Sequence, residues 1–156
     1  MTNDDIARGV LDTVSYVVLA TADADGVPWA SPVWFAHDEY REVYWVSSPD
    51  ARHSQNIDAR PRISLVVFDS TAAPNTGQAV YMTATASQVR DPAAIDRGLA
   101  VFSRASVRAG MDEWGTDRVT GDARLRLFRA TVLDHSILDP DAAIDVRVDV
   151  RPNTSP

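Results

Sequence analysis

The chain has 156 residues and a formal net charge of −7; it contains no cysteine and no lysine, so all 15 of its basic residues are arginine. This composition excludes disulfides, thiolate metal ligands, a Schiff-base lysine and the lysine of a phosphate-binding P-loop. The negative balance, with the arginines scattered along the chain, argues against a nucleic-acid-binding face.

The ends of the chain bear on its location and domain organisation. Asp4 and Asp5 stand where a signal peptide would be basic, and no apolar run approaches the length of a membrane span. We therefore expect a cytoplasmic protein. The length predicts a single domain over residues 1–150 and a frayed tail over residues 151–156.

The first part of the chain predicts a helix and then closely spaced strands. Apolar residues at helical spacing predict a helix over 4–12, and a β-rich run predicts a strand over 16–21. The residues at 23–26 (DADG) are typical of a hairpin turn, after which a strand over 29–36 is bent, bulged or placed at an edge by Pro32. A polar turn over 37–42 then leads to a third strand over 43–47.

The remainder continues the same pattern. A short helix over 50–59 precedes a strand over 63–68, whose unbroken apolar character predicts burial on both faces. A loop over 70–77 and a strand over 79–89 follow, and Asp91-Pro92 predicts the start of a helix that ends at about Arg104. An irregular stretch over 105–122 separates this helix from alternating strands over 125–138 and 144–150.

The short spacing of these strands favours an antiparallel barrel or sandwich over a parallel sheet. The first two helices are then expected to plug a barrel end or to cover a face.

The best candidate for a binding site is the junction between the third strand and the helix that follows it. The strand ends at Ser47 and Ser48, and the first turn of the helix contains Arg52 and His53. Free N–H groups at a helix start, hydroxyls, a guanidinium and an imidazole donor suit a phosphate monoester. Alternatively, Ser48 or Asp50 caps the helix and Arg52 is a solvated charge.

Other chemistry has little support. His37 lies beside Asp38 and Glu39 without a second histidine at ligand spacing, so we expect no metal site. The sequence has no Gly-x-Ser-x-Gly elbow, and adjacent Asp112 and Glu113 are typical of a solvated loop. We therefore assign no catalytic residue.

Three segments, taken together, resemble the flavin-binding split barrel of the pyridoxamine 5′-phosphate oxidase-like family. They are LATADADGVPWASPVWF (19–35), VYWVSSPDARHSQNIDARPRISLVVFD (43–69) and GQAVYMTATASQV (77–89). The resemblance implies a mainly β fold with a few helices, an antiparallel split β-barrel of six to seven strands in Greek-key order. It also implies a homodimer that holds flavin mononucleotide (FMN) between its subunits and acts on a small-molecule substrate. The charge and the lack of a long apolar run predict no nucleic-acid or membrane partner.

The resemblance further implies which positions contact the cofactor. In chain order, they are Ser31, Pro32, Val33, Trp34, Val46, Ser47, Ser48, Arg52, His53 and Gln78. Arg52 and His53 match the basic pair that holds the phosphate, and Gln78 matches a glutamine that contacts the ring system. Trp29, Trp34 and Trp45 lie on successive predicted strands, which is typical of core or interface packing; alternatively, Trp34 or Trp45 borders the flavin or a hydrophobic substrate.

Several positions depart from the family's pattern. His53 replaces the usual lysine of the basic pair, which predicts a weaker or pH-dependent affinity for phosphate. Ser31 and Ala36 stand where the true oxidase has arginine and lysine, and its C-terminal arginine–histidine signature is missing.

These departures leave three hypotheses. The first is a flavin-dependent oxidoreductase of unknown substrate, with a deazaflavin as an alternative cofactor. The second is a carrier or sensor that binds flavin, deazaflavin or heme without its own turnover. The third is a dimeric interaction module whose cofactor site is empty.

Overall fold

The computed structural model describes residues 1–154. This range forms three α-helices, eight strands and a 3₁₀ helix at Thr116–Arg118. The helices are α1 (Asn3–Thr13), α2 (Arg52–Ala59) and α3 (Pro92–Arg108). The strands are β1 (Tyr16–Ala22), β2 (Pro28–Trp34), β3 (Ala36–Asp38), β4 (Glu42–Ser47), β5 (Arg62–Phe68), β6 (Ala79–Gln88), β7 (Arg126–Leu138) and β8 (Arg147–Val150).

The strands form one antiparallel sheet that curls into an open barrel. Its hydrogen-bonded order is β2-β1-β5-β6-β7-β4-β3, and β8 pairs with the last residues of β7, His135–Leu138. The two ends of this order, β2 and β3, are separated in the chain by Phe35 alone. The sheet must therefore curl until its ends meet, and it forms a barrel that stays open between β2 and β4. We call this opening the split.

Two cores follow from this arrangement. The interior of the barrel is filled by large apolar side chains such as Leu19, Trp45 and Phe128, and α1 and α2 close its ends with Leu11 and Ile57. Helix α3 covers the outside of β4 and β7, where a second cluster is built from Tyr44, Leu99, Phe102 and Leu127, among others. The expectation that helices plug a barrel end or cover a face is confirmed.

Strand β5 differs from its prediction. Ile63, Leu65 and Val67 are buried, but Ser64 is exposed and Phe68 is 44% exposed. The prediction of burial on both faces was wrong because the outer face of the sheet at β5 is not covered by a helix. The apolar run of β5 therefore reflects an outer face of the sheet that is itself partly apolar.

Three element boundaries also differ. The polar turn predicted over 37–42 contains β3, which turns into β4 through Glu39 and Tyr40 at φ values of 48° and 58°. Helix α3 continues to Arg108 and ends before Gly110, whose φ is 78°. The last strand is shorter than predicted and begins at Arg147.

The tail after the last strand is tied to α1. The backbone N–H of Arg151 donates to Asp4, and the Arg8 guanidinium donates to the carbonyls of Pro152 and Thr154. Fraying is therefore not seen over residues 151–154, and residues 155–156 lie outside the described part of the chain. No helix within residues 1–154 is long and apolar enough to cross a membrane.

Candidate cofactor site

The split brings together the predicted cofactor residues of two strands. Because β2 leads through Phe35 into β3, and β3 pairs with β4 at Ala36–Tyr44, β2 and β4 run along the two sides of the opening. Ser31–Trp34 therefore border it from one side and Val46 and Ser47 from the other. Trp34 and Val46 both pack against the cluster beneath α3, and Trp34 meets Phe102 edge to face at 4.8 Å.

The strand-to-helix junction is fixed by side-chain hydrogen bonds. Nε2 of His53 lies 2.9 Å from the hydroxyl oxygen of Ser47, and both residues are buried. The hydroxyl of Ser54 donates to the carbonyl of Ser48 at 2.8 Å. Burial lowers the pKa of His53 below its ordinary value of 6.5. The imidazole is therefore neutral near pH 7 and contributes position rather than charge.

The N-terminus of α2 has no side-chain cap. Its N-cap residue is Ala51, and its first turn contains no acidic residue. The Ser48 hydroxyl instead accepts a hydrogen bond from the backbone N–H of Asp50. The alternative in which Ser48 or Asp50 caps the helix is thus wrong, and the first N–H groups of α2 remain available to an anion.

Arg52 lies at this uncapped start. Its Cζ atom is 4.4 Å from the centroid of the Trp29 ring, and it forms no ion pair with any described carboxylate. Arg52 is exposed, which agrees with the alternative interpretation of its side chain as a solvated charge. Its guanidinium nevertheless has a defined place, because it stacks on an aromatic face.

Gln78 lies away from this junction. It precedes Ala79, which pairs with Phe68 at one end of β5 and β6, whereas α2 adjoins the other end, where Arg62 pairs with Thr85. Its Oε1 atom is buried and has no hydrogen-bond partner among the described residues. An unpaired buried acceptor is costly unless another molecule supplies a donor.

A cleft continues from Trp34 between α3 and the end of α1. It has a volume of about 630 Å³, and Trp34, Ala36, His37, Arg104 and Arg108 are among its lining residues. The two arginines lie four residues apart on α3 and therefore on the same face of that helix. Because the predicted helix ends at Arg104, the sequence analysis missed this pair.

A polar network adjoins the cleft through Asp12 and His37, which are among its lining residues. Nε2 of His37 lies 3.2 Å from Asp12, and the hydroxyl of Tyr40 donates to the same carboxylate at 3.1 Å. Desolvation lowers the pKa of His37, against the opposing effect of Asp12. Nε2 of His135 donates to the carbonyl of Tyr40 at 2.7 Å. The sequence analysis did not predict this network, because Asp12 and His135 are far from the β3–β4 turn in the chain.

Residues 4–134 match the family described as pyridoxamine 5′-phosphate oxidase. This match covers most of the chain, so the protein belongs to that family in the broad sense, and the predicted resemblance is confirmed. No curated protein matches the sequence.

Solved structures share the fold at low sequence identity. A heme-binding protein from Mycobacterium smegmatis superposes with a TM-score of 0.73 at 16% identity; the match covers 96% of this chain and 58% of that one. HutZ, a heme storage protein from Vibrio cholerae, gives 0.66 at 22% identity, covering 85% and 92%. An F420 reductase gives 0.60 at 20% identity, covering 83% and 94%. The mainly β split-barrel fold predicted from the sequence is therefore confirmed.

Proposed function

We propose that this protein binds FMN along the split and acts as a flavin-dependent oxidoreductase on a small organic substrate. The observation that carries the proposal is the strand-to-helix junction. There, an uncapped helix start, the hydroxyls of Ser47 and Ser48 and the side chain of Arg52 lie within one short segment, and Arg52 forms no ion pair with a described carboxylate. Such a site is suited to a dinegative phosphate.

The proposed site uses each residue for a distinct task. Arg52 supplies the permanent positive charge, because the lowered pKa of His53 leaves that imidazole neutral near pH 7. His53 holds the hydroxyl of Ser47 in place. Ser31–Trp34 and Val46 border the flat ring system along the split. When bound, a flavin supplies the hydride or electron chemistry, and the protein binds, orients and shields it.

A homodimer completes the proposed site. Within one chain, Gln78 lies at the opposite end of the sheet from α2, so the same subunit does not bring its amide to the junction. The outer face of the sheet offers an apolar row, Pro32, Val18, Val66 and Tyr81, which are register partners across four strands. We propose that two copies pair through this face and that Gln78 of the partner subunit meets the ring system.

The substrate is proposed to occupy the cleft beside Trp34. Arg104 and Arg108 line it, and neither forms an ion pair with a described carboxylate. An anionic substrate suits a cleft with two such guanidinium groups. We assign no proton donor, because both ring nitrogens of His37 are already engaged, by Asp12 and by the backbone N–H of Tyr40.

Flavin is favoured over heme by the histidines. Heme iron in proteins is commonly held by a histidine nitrogen, and this chain has no cysteine to replace it. In each of the three histidines, Nε2 is engaged in a hydrogen bond: His37 with Asp12, His53 with Ser47 and His135 with Tyr40. Heme ligation by Nε2 would require one of these bonds to break.

The proposal is tested by titrating the protein with FMN and with riboflavin, which lacks the phosphate. Arg52→Ala should weaken FMN binding by about 1.5–3 kcal/mol, the range for a hydrogen bond to a charged group. Arg97→Ala, which removes an exposed arginine from α3, is the matched control and should leave the affinity unchanged. Equal affinity of the Arg52 variant and the wild type for FMN would contradict the site.

A further inference from the structure

Trp29 and Arg52 form a defined pair on the surface of the protein. Trp29 is 41% exposed and Arg52 is exposed, so neither is held by the core. Yet the Arg52 Cζ atom lies 4.4 Å from the centroid of the Trp29 ring, within the range of a cation–π contact. An aromatic surface therefore restricts a long side chain that would otherwise sample many rotamers.

The backbone of Trp29 is tied to the helix that carries Arg52. The hydroxyl of Thr21 donates to the Trp29 carbonyl at 3.3 Å, and Nδ2 of Asn56 donates to the hydroxyl oxygen of Thr21 at 3.0 Å. Thr21 and Asn56 are both buried, and Asn56 lies one turn after Arg52 on α2. The ring and the guanidinium are therefore placed by the same framework.

Stacking leaves the donors of Arg52 free. A guanidinium packs on a ring through its face, while its five N–H groups point outward in its own plane. The N–H edge remains available for a bidentate bond to two phosphate oxygens. Since Arg52 forms no ion pair with a carboxylate of residues 1–154, no group in that range competes for the N–H edge as a salt-bridge partner.

We infer that Trp29 is a positioning residue that holds Arg52 ready for a phosphate group. It thereby gives the site its preference for a phosphorylated ligand over the same ligand without phosphate. This inference rests on the proposed function. It adds a residue that the sequence analysis considered neither for the phosphate nor for the flavin ring.

The test compares two replacements of Trp29 in the full-length protein. Trp29→Phe keeps an aromatic face, whereas Trp29→Leu keeps an apolar side chain without one. In fluorescence titrations, Trp29→Leu should weaken FMN binding by about 3- to 10-fold, Trp29→Phe should retain most of the affinity, and riboflavin affinity should be unchanged in both. Thermal unfolding of each variant verifies that it is folded.

A double-mutant cycle separates positioning from a general structural effect. In an Arg52→Ala background, Trp29→Leu should cause no further loss of FMN affinity, because the group that the ring positions is gone. If Trp29→Leu lowers FMN affinity equally with and without Arg52, or lowers riboflavin affinity as much as FMN affinity, the inference is overturned. Either result would indicate that Trp29 contacts the flavin ring directly. If the wild type binds FMN and Trp29→Leu binds it equally well, only this inference fails. If the wild type binds neither compound, the proposed function fails, and this inference fails with it.

Discussion

Nε2 of His53 lies 2.9 Å from the hydroxyl oxygen of Ser47, and this buried contact joins the end of β4 to the first turn of α2. The residues that resemble a phosphate-binding pair are therefore unequal. Arg52 is exposed and charged, whereas His53 is buried and holds a neighbouring hydroxyl.

Removing the Ser47 hydroxyl should destabilise the protein. Ser47→Ala leaves the His53 nitrogen buried without its partner, which costs about 1–3 kcal/mol in the free energy of unfolding. Urea unfolding monitored by tryptophan fluorescence measures the loss. Ser87→Ala, at an exposed position of β6, is the control and should change stability little. Equal stability of the two variants would show that the contact contributes nothing.

The free energy of unfolding should fall as the pH is lowered below about 6.5. Burial lowers the pKa of His37, His53 and His135 in the folded protein relative to the ordinary value of 6.5. The unfolded chain therefore binds more protons in the interval from 6.5 down to the folded values, and stability rises with pH there. The pKa values of Asp5 and Asp69 are lowered from 3.8, so these carboxyls titrate below this interval.

Urea midpoints at pH 7.5 and 5.5 check this pH dependence. The wild type should be less stable at pH 5.5, and His53→Gln should lose less stability between the two values because one of the three groups is removed. Unchanged or greater stability of the wild type at pH 5.5 would be inconsistent with three histidines whose pKa values are lowered by desolvation.

Gly98 is needed where α3 crosses the barrel. A Cβ at position 98 would lie 2.5 Å from Cε1 of Tyr44 and 3.0 Å from Cδ2 of Leu127, and both of these side chains are buried. Gly98→Ala should therefore destabilise the protein by about 1–3 kcal/mol through overpacking, despite the better helix propensity of alanine. A Cβ at position 9 in α1 would have no atom within 4 Å, so Gly9→Ala should stabilise the protein by about 0.5–1 kcal/mol. Thermal unfolding of both variants tests the opposite signs.

The apolar outer face should govern association. Val66 lies between Val18 and Tyr81 on that face, so Val66→Glu places a charge at the centre of the proposed dimer contact. We expect light scattering after size exclusion to give a dimer for the wild type and a monomer for this variant, with weaker FMN binding. Val107→Glu, at a 50% exposed position of α3, should stay dimeric. A monomeric wild type would contradict the proposed assembly.

The sequence predicted local elements better than relationships between them. Three elements were predicted correctly: the hairpin before β2, strand β4, and the start of α3 at Pro92. Their signals are local, because turn and capping residues act over a few positions. Strand β3 escaped because Glu39 and Tyr40 adopt positive φ without a glycine to indicate the turn. The conformation of Tyr40 is supported by contacts to His37 and to His135, and only the folded chain brings His135 to this turn.

The candidate site shows the same limit. The proposed phosphate end lies in one continuous segment, where a pattern of serines and a basic helix start was enough to suggest it as a candidate. The burial of His53, the stacking of Arg52 on Trp29 and the position of Arg108 beside the cleft all depend on packing. Residues that act through contacts between distant segments leave no mark in local spacing.

The single residue between the two edges of the sheet constrains how molecules reach the split. With Trp34 ending one edge and Ala36 beginning the other, the Cα atoms on either side of Phe35 are at most about 7 Å apart. The backbone N–H of Phe35 is bonded to the carbonyl of Ser15, and its ring is buried. The chain connection at Phe35 therefore fixes the width of the split at this end. We expect a molecule that binds in the split to enter and leave from the side or past α2, so its binding and release rates should depend on how tightly that helix packs on the barrel.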